Sequence, residues 1–383
     1  LTAPDRDQLR ARFPRVAITH EWLTIPGGSE DVVLAMLDLF PQAELFTSVY
    51  DPAPWPAAIR DRPVHASFLD RVPGARRHYP RLLPLMNAAF ESFDLGGFDL
   101  VISSNHACAK NVVTGPATPH LCYCHTPMRY AWDPSFLEGE RLGPVGRLAA
   151  RALIPRLRRQ DALAAARPDA FLANSRHVAA RIAKFYRRPA EVLHPPVAVA
   201  PLLATPRGAG DHYLCFGRLV PYKRADLAVA ACTRLGRPLK VAGTGRDLER
   251  LRAIAGPTVE FLGHVPDDDV PALLAGARAL LFPGEEDFGI VPVEAQAAGT
   301  PVIAYGIGGA RDSVIDGTTG LLFAEQTVDG LAAAIRRFEA RDWDPDAARA
   351  HARGFAPERF TAGLAAAVAG LSTSEAYSQG SDG

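Results

Sequence analysis

The sequence predicts an α/β protein of two parallel-sheet domains, and three observations carry that prediction. Short apolar runs alternate with helical patterns from end to end, as they do where crossover helices join parallel strands. At 383 residues the chain exceeds the usual size of one hydrophobic core. Near its middle, Pro195-Pro196 and the following VAVAPLLATPRGAGD have no clear period, which places a domain boundary near 196–210. The expected division is 1–200, 201–356, and a C-terminal helix 357–371 before a polar tail 372–383 expected to be disordered.

Composition narrows the class. Apolar residues make up 48% and charged residues 22%, an ordinary balance for a soluble globular chain. Lys+Arg and Asp+Glu are 42 each, so no overall field points to nucleic acid. The five cysteines (Cys108, Cys122, Cys124, Cys215 and Cys232) are odd in number and include no C-x-x-C pair, which reads as buried thiols in the cytoplasm. No signal peptide precedes the first strand and no apolar run approaches the roughly 20 residues that span a bilayer, so any membrane contact is expected to be peripheral.

In the first half, strands are expected at 15–19, 44–47, 100–103, 120–124, 170–173 and 191–193. After the first strand, Gly27 and Gly28 precede a helix expected to begin near Ser29, whose hydroxyl can cap it. Such a loop is an anion seat or a plain turn. His125 ends the strand LCYCH and leads into Thr126-Pro127; on its own a histidine there packs or caps more often than it binds. Asn174-Ser175 follow the strand AFLA and can cap the next helix. Two stretches, 71–90 and 141–163, mix arginines with apolar residues, as a solvated helix face or a surface for an anionic membrane would.

In the second half, strands are expected at 213–216, 239–241, 259–262, 279–282 and 302–305. Gly217, Arg218 and Lys223 follow the first of these; two cations at a strand's carboxyl end can neutralise a diphosphate or simply face solvent. Gly243 and Gly245 form a turn that admits a ligand or is merely tight. The run Asp267-Asp268-Asp269 reads as a helix start favoured by the dipole, not as a metal site. The most informative segment is PGEEDFGIVPVEAQAAGTPVIA, at 283–304. A helix opening near Gly289 leaves the N–H groups of Gly289, Ile290 and Val291 for a phosphate, with Pro292 tolerated in the first turn. Glu286 in the loop and Glu294 one turn into the helix can each reach hydroxyls, one on either side of that phosphate. Two polyols flanking a pyrophosphate describe a nucleotide sugar, although two solvated carboxylates around a helix start would read the same on spacing alone.

These segments resemble the retaining glycosyltransferases of family 4. The family pattern E-x-F-G, a second Glu eight positions on, and G-T-P-V stands here as Glu286-Asp287-Phe288-Gly289, Glu294-Ala295 and Gly299-Thr300-Pro301-Val302, while G-R-x-x-x-x-K stands as Gly217 to Lys223. HTPMRYAWD, at 125–133, resembles bacterial polysaccharide mannosyltransferases of the family, those building O-antigen or exopolysaccharide. The resemblance implies the GT-B fold, two doubly wound, Rossmann-like domains facing across a cleft. It implies that Arg218 and Lys223 bind the donor pyrophosphate, Glu286 the transferred sugar and Glu294 the ribose. Phe288 to Val291 would supply backbone to phosphate and sugar, His264 and Val265 would face the base, and His125 would lie under the sugar. Gly27 and Gly28 would approach the donor phosphates or the acceptor, with Arg129, Trp132 and Asp133 on the acceptor side. The implied partners are a GDP- or UDP-sugar donor, GDP-mannose preferred, and a glycan or lipid-linked acceptor. The implied chemistry is front-face transfer with no cofactor and no divalent cation. A non-hydrolysing nucleotide-sugar epimerase shares the architecture but needs its own acid/base set, and no G-x-G-x-x-G follows the first strand to suggest a dinucleotide enzyme.

Overall fold

The computed structural model describes residues 6–133, 143–208 and 210–371. Arg141 and the tail 372–383 lie outside the described residues. The chain divides into two units: one runs up to His194 and resumes at Phe360, and the other is Pro195–Arg359.

The first unit is built on seven parallel strands, β1 (Val16–His20), β2 (Glu44–Thr47), β3 (Val64–Ala66), β4 (Leu100–Asn105), β5 (His120–Cys124), β6 (Ala170–Ala173) and β7 (Glu191–Val192). They lie in the order β3-β2-β1-β4-β5-β6-β7, so the direction of winding reverses between β1 and β4. β1, β4 and β5 are buried along their whole length because helices cover both faces of a parallel sheet. Val16, Ile18 and Tyr123 point to one apolar cluster, Ala17 and Val101 to the other. The helix Pro357–Ala369 joins the first cluster through Phe360, Leu364 and Val368, with Phe360 edge-on to Tyr123 at 5.4 Å. Arg12 ties this helix's end down by donating to the carbonyls of Ala369 and Leu371.

The second unit repeats the plan with β8 (Tyr213–Phe216), β9 (Leu239–Ala242), β10 (Val259–Gly263), β11 (Ala279–Phe282), β12 (Val302–Tyr305) and β13 (Gly320–Phe323). The order is β10-β9-β8-β11-β12-β13, and the reversal falls between β8 and β11. Tyr213 and Cys215 pack under the helices Ala225–Leu235 and Val328–Glu339, whereas Leu214 and Leu280 pack under Ile290–Ala297 on the opposite face. This is the period-2 alternation that a sheet covered on both sides demands.

Two strands escape the sequence reading, and both are sheet edges. β3 has three residues, of which His65 and Ala66 are exposed, so no apolar run marks it. β13 opens on Gly320, where a Cβ would stand 2.0 Å from the Val302 carbonyl oxygen; the glycine that reads as a turn is what lets the strand close on β12.

Candidate active site

In open α/β sheets ligands bind beyond the carboxyl ends of the strands, where the order reverses. In the second unit that point is held by the loops after β8 and β11. Pro221–Lys223 form a single 3₁₀ turn, closed by Arg224 at φ 54°, a left-handed value unusual outside glycine. Asp226 holds the Arg224 guanidinium with contacts of 3.0 and 3.2 Å and so fixes the turn that presents Lys223. Gly284 lets the second loop touch the first, since a Cβ there would stand 2.8 Å from the Lys223 Cα. Lys223 Nζ then lies 2.8 Å from Glu286 Oε1. A carboxylate has about four acceptor sites, so this contact leaves lone pairs of Glu286 for further donors. Burial pulls the Lys223 ammonium down, but the facing Glu286 carboxylate outweighs it and the net shift is upward. Arg218 is exposed beside them, its guanidinium 3.4 Å from the Tyr222 hydroxyl. Arg218, Lys223 and Glu286 line an open depression with Cys215, Gly217 and Pro283.

The helix Ile290–Ala297 opens at Gly289, which caps it at φ 92°. Pro292 is its third residue, and the first N–H groups of a helix have no acceptor within it. Phe288 is buried beneath, and Ile290, Val291 and Glu294 are half-buried on the first turns. The loop after β12 braces this segment: Gly309 N–H donates to the Glu286 carbonyl at 2.8 Å, and a Cβ on Gly309 would stand 2.2 Å from the Phe288 Cα. His264 is exposed and Val265 half-buried in the loop after β10. Asp267–Asp269 form the 3₁₀ turn that leads into the helix Val270–Gly276.

Gly243 and Gly245 have a structural reason for lacking side chains. A Cβ on Gly243 would meet the Gly217 carbonyl oxygen at 1.9 Å, and one on Gly245 the Leu219 carbonyl oxygen at 2.2 Å. The two loops lie backbone against backbone, joined by Leu219 N–H to the Thr244 carbonyl at 2.8 Å. These glycines therefore set the position of the Arg218 loop.

In the first unit the reversal between β1 and β4 carries polar residues with almost no solvent contact. His20 Nδ1 lies 3.0 Å from Ser104 Oγ and His20 Nε2 lies 3.0 Å from Glu30 Oε1. Ser104 Oγ is also 2.9 Å from His125 Nε2. Burial would raise the Glu30 carboxyl, but its hydrogen bonds to His20 and Ser29 prevail and hold it below its ordinary value. Burial keeps His125 well below the ordinary histidine value, with His106 and His20 adding to the effect. Beside them the fully buried Glu21 carboxylate accepts the backbone N–H groups of His106, Ala107, Cys108 and Ala109 at 2.6–3.0 Å. It caps that turn as a bound anion would.

The glycine loop differs in one respect from expectation. The helix runs Gly28–Leu39 with Gly27 as its extended N-cap, and Ser29 does not cap it. The Ser29 hydroxyl instead donates to Glu30 Oε2 at 2.9 Å. Ser175 does cap its helix, accepting from Val178 N–H at 3.1 Å. Arg129, Trp132 and Asp133 sit on or just after the short helix Arg129–Trp132. There the Trp132 indole stacks on Phe185 and donates to Asp161 at 2.6 Å, so its polar atom serves the unit's interior. Asp161 also accepts from Tyr186 at 2.8 Å and pairs with the buried Lys110. His20, Glu21, Ser104 and the Lys110–Asp161 pair have no signal in spacing, because only the folded unit brings them together.

Comparison with known proteins follows the same division. Residues 26–200 match the model of Glycosyltransferase Family 4, and residues 208–355 match that of Glycosyl transferases group 1. Glycogen synthase of Mycobacterium tuberculosis is 37% identical over 184 residues, 45% of this chain and 43% of that protein. The GDP-mannose-dependent alpha-(1-6)-phosphatidylinositol monomannoside mannosyltransferase of Mycolicibacterium smegmatis is 34% identical over 148 residues, 33% of this chain and 39% of that protein. The match thus spans less than half the length of these curated relatives. Among solved structures, Anabaena Alr3699/HepE in complex with UDP superposes with a TM-score of 0.68 at 16% identity, covering 93% of this chain and 100% of that one. The fold is GT-B: two parallel-sheet, Rossmann-like units.

Proposed function

We propose that this chain, which belongs to the GT-B glycosyltransferases of family 4, is a retaining hexosyltransferase that takes mannose from GDP-mannose. The observation that carries the reading is the convergence at the second sheet's reversal point: Lys223, Arg218 and Glu286 line one depression, and the loop that carries Glu286 runs on into the helix that opens at Gly289. A diphosphate seated there meets two cations and a helix N-terminus, which stabilise charge as it departs. The C1–O bond to the diphosphate breaks and the acceptor oxygen bonds to C1 on the same face. The acceptor's proton passes to the departing phosphate oxygen. No carboxylate of the first unit is assigned as a nucleophile, because Glu21 and Glu30 are already bound by backbone N–H groups and by His20. His125 remains the group assigned to the sugar. Mannose is favoured by the HTPMRYAWD segment and by the mannosyltransferase relative. The acceptor is read as a glycan or lipid-linked sugar.

A panel of GDP, UDP and their sugars, read by thermal shift and then by turnover, tests this. GDP-mannose is expected to give the largest shift and to be consumed; a response to UDP-sugars alone would exchange the donor, and no response to any would remove the reading. Lys223→Ala and Glu286→Ala are each expected to lower transfer by at least about 100-fold with the fold intact.

The reading includes peripheral membrane contact. No helix among the described residues is long and apolar enough to cross a bilayer. The helix Pro144–Ala164 exposes Arg151, Arg156 and Arg159 with Leu148 and Leu163, while Arg158 is held by the Ala131 carbonyl. Co-sedimentation with anionic vesicles at low salt, and none with neutral ones, is expected; no binding to either removes the contact.

A further inference from the structure

Three neighbouring strands of the first sheet end in groups that form one hydrogen-bonded line, Glu30–His20–Ser104–His125. The register makes it possible. His20 and Ser104 are direct partners across β1 and β4, and His125 follows β5 with its N–H on the Asn105 carbonyl. Glu30 comes from the helix behind Gly27-Gly28. His20 and Ser104 are wholly buried and Glu30 is 5% exposed, so water does not compete along the line.

Proton counting gives the line a direction. Glu30 is an acceptor only, already taking the Ser29 hydroxyl, so His20 Nε2 must donate to it. A neutral His20 then has an unprotonated Nδ1, which accepts the Ser104 hydroxyl hydrogen. The Ser104 oxygen is left to accept, so His125 Nε2 donates to it. His125 Nδ1 is thereby left without a proton; among the described residues it has no hydrogen-bond partner, and it is not among the buried polar atoms that lack one. A cationic His20 would reverse every arrow after the first. The titratable groups that face His20 are Glu30 at 3.0 Å and the His106 ring at 6.1 Å. His106, which also feels Glu21 and Arg129, and His125 are themselves held neutral chiefly by burial.

We propose that Glu30 and His20, acting through Ser104, are positioning residues that fix His125 in its Nε2–H tautomer and present Nδ1 as an acceptor to a hydroxyl donor of the bound sugar. The identity of that hydroxyl donor rests on the transferase reading above; the tautomer does not. Glu30 touches no ligand in this scheme, yet it determines which hydrogen bond His125 can make.

The test is nitrogen-15 NMR of the histidine rings in the nucleotide-free protein, with the His125 signals among 11 histidines assigned by their loss in His125→Gln. Wild type is expected to show His125 protonated at Nε2 alone. Ser104→Ala is expected to give mixed tautomers, and Ser104→Thr, which keeps the hydroxyl, to restore one. Glu30→Gln can present an N–H to His20 and is expected to loosen the His125 tautomer from a distance. In turnover, Ser104→Ala is expected to lower kcat about tenfold with donor KM little changed, and Ser104→Thr to recover it. An Nδ1–H tautomer in wild type, or a His125 unmoved by both Ser104→Ala and Glu30→Gln, overturns the proposal. If the NMR results hold but no nucleotide sugar binds, the relay stands and the transferase reading fails.

Discussion

Lys223 and Glu286 show what a residue-level reading of the sequence catches and what it leaves out. Their positions are legible because each lies in a motif of fixed spacing on its own loop. Their contact with each other was not, since it depends on Gly284 letting one loop lie on the other. The buried histidines were less legible still, because neither His20 nor His120 differs in sequence from a histidine on the surface. Their burial has a consequence for stability. Burial drives His120 down to about 3 from 6.5 and lowers His106 and His125. A depressed folded value means that below 6.5 the unfolded chain takes up protons which the folded chain refuses. Stability is therefore full above about 6.5 and is lost on acidification, at about 1.4 kcal/mol per pH unit for each such group until its folded value is reached. Urea melts are expected to show a midpoint clearly lower at pH 5 than at pH 7.5; an unchanged midpoint would mean that these rings are not buried neutral.

At the scale of elements, 11 of the 13 strands were readable as apolar runs, and the two missed were edges whose burial is slight or whose first residue is glycine. Helix starts were less exact. Ser29 has the right chemistry for a cap, but Glu30 takes its hydroxyl and Gly27 begins the helix by backbone geometry alone. The glycines of the β9 loop carry a sharper lesson. Their freedom from side chains serves a loop–loop contact, so Gly243→Ala forces the Gly217 carbonyl away from β9. The substitution is expected to cost about 1–3 kcal/mol and to weaken nucleotide binding by displacing Arg218. Unfolding and nucleotide titration measure both, and a variant with wild-type values for each would show that the loops can separate freely.

At the scale of the whole molecule, two sheets wound on the same plan each place their polar side chains at the point where strand order reverses. That repetition is topological, and it explains why residues far apart in sequence (Lys223 with Glu286, His20 with Ser104 and His125) come into contact. Alternating strands and helices in the sequence foretell the sheets, but not which strand ends become neighbours. The proposed transfer requires the second unit's reversal point to be a diphosphate seat. The most direct measurement is a crystal structure with GDP bound. The diphosphate is expected within hydrogen-bonding distance of Arg218, Lys223 and the N–H groups that open the helix at Gly289, with the Lys223–Glu286 contact rearranged around it. A nucleotide seated elsewhere, with Lys223 still paired to Glu286 and the depression between them unused, would contradict it.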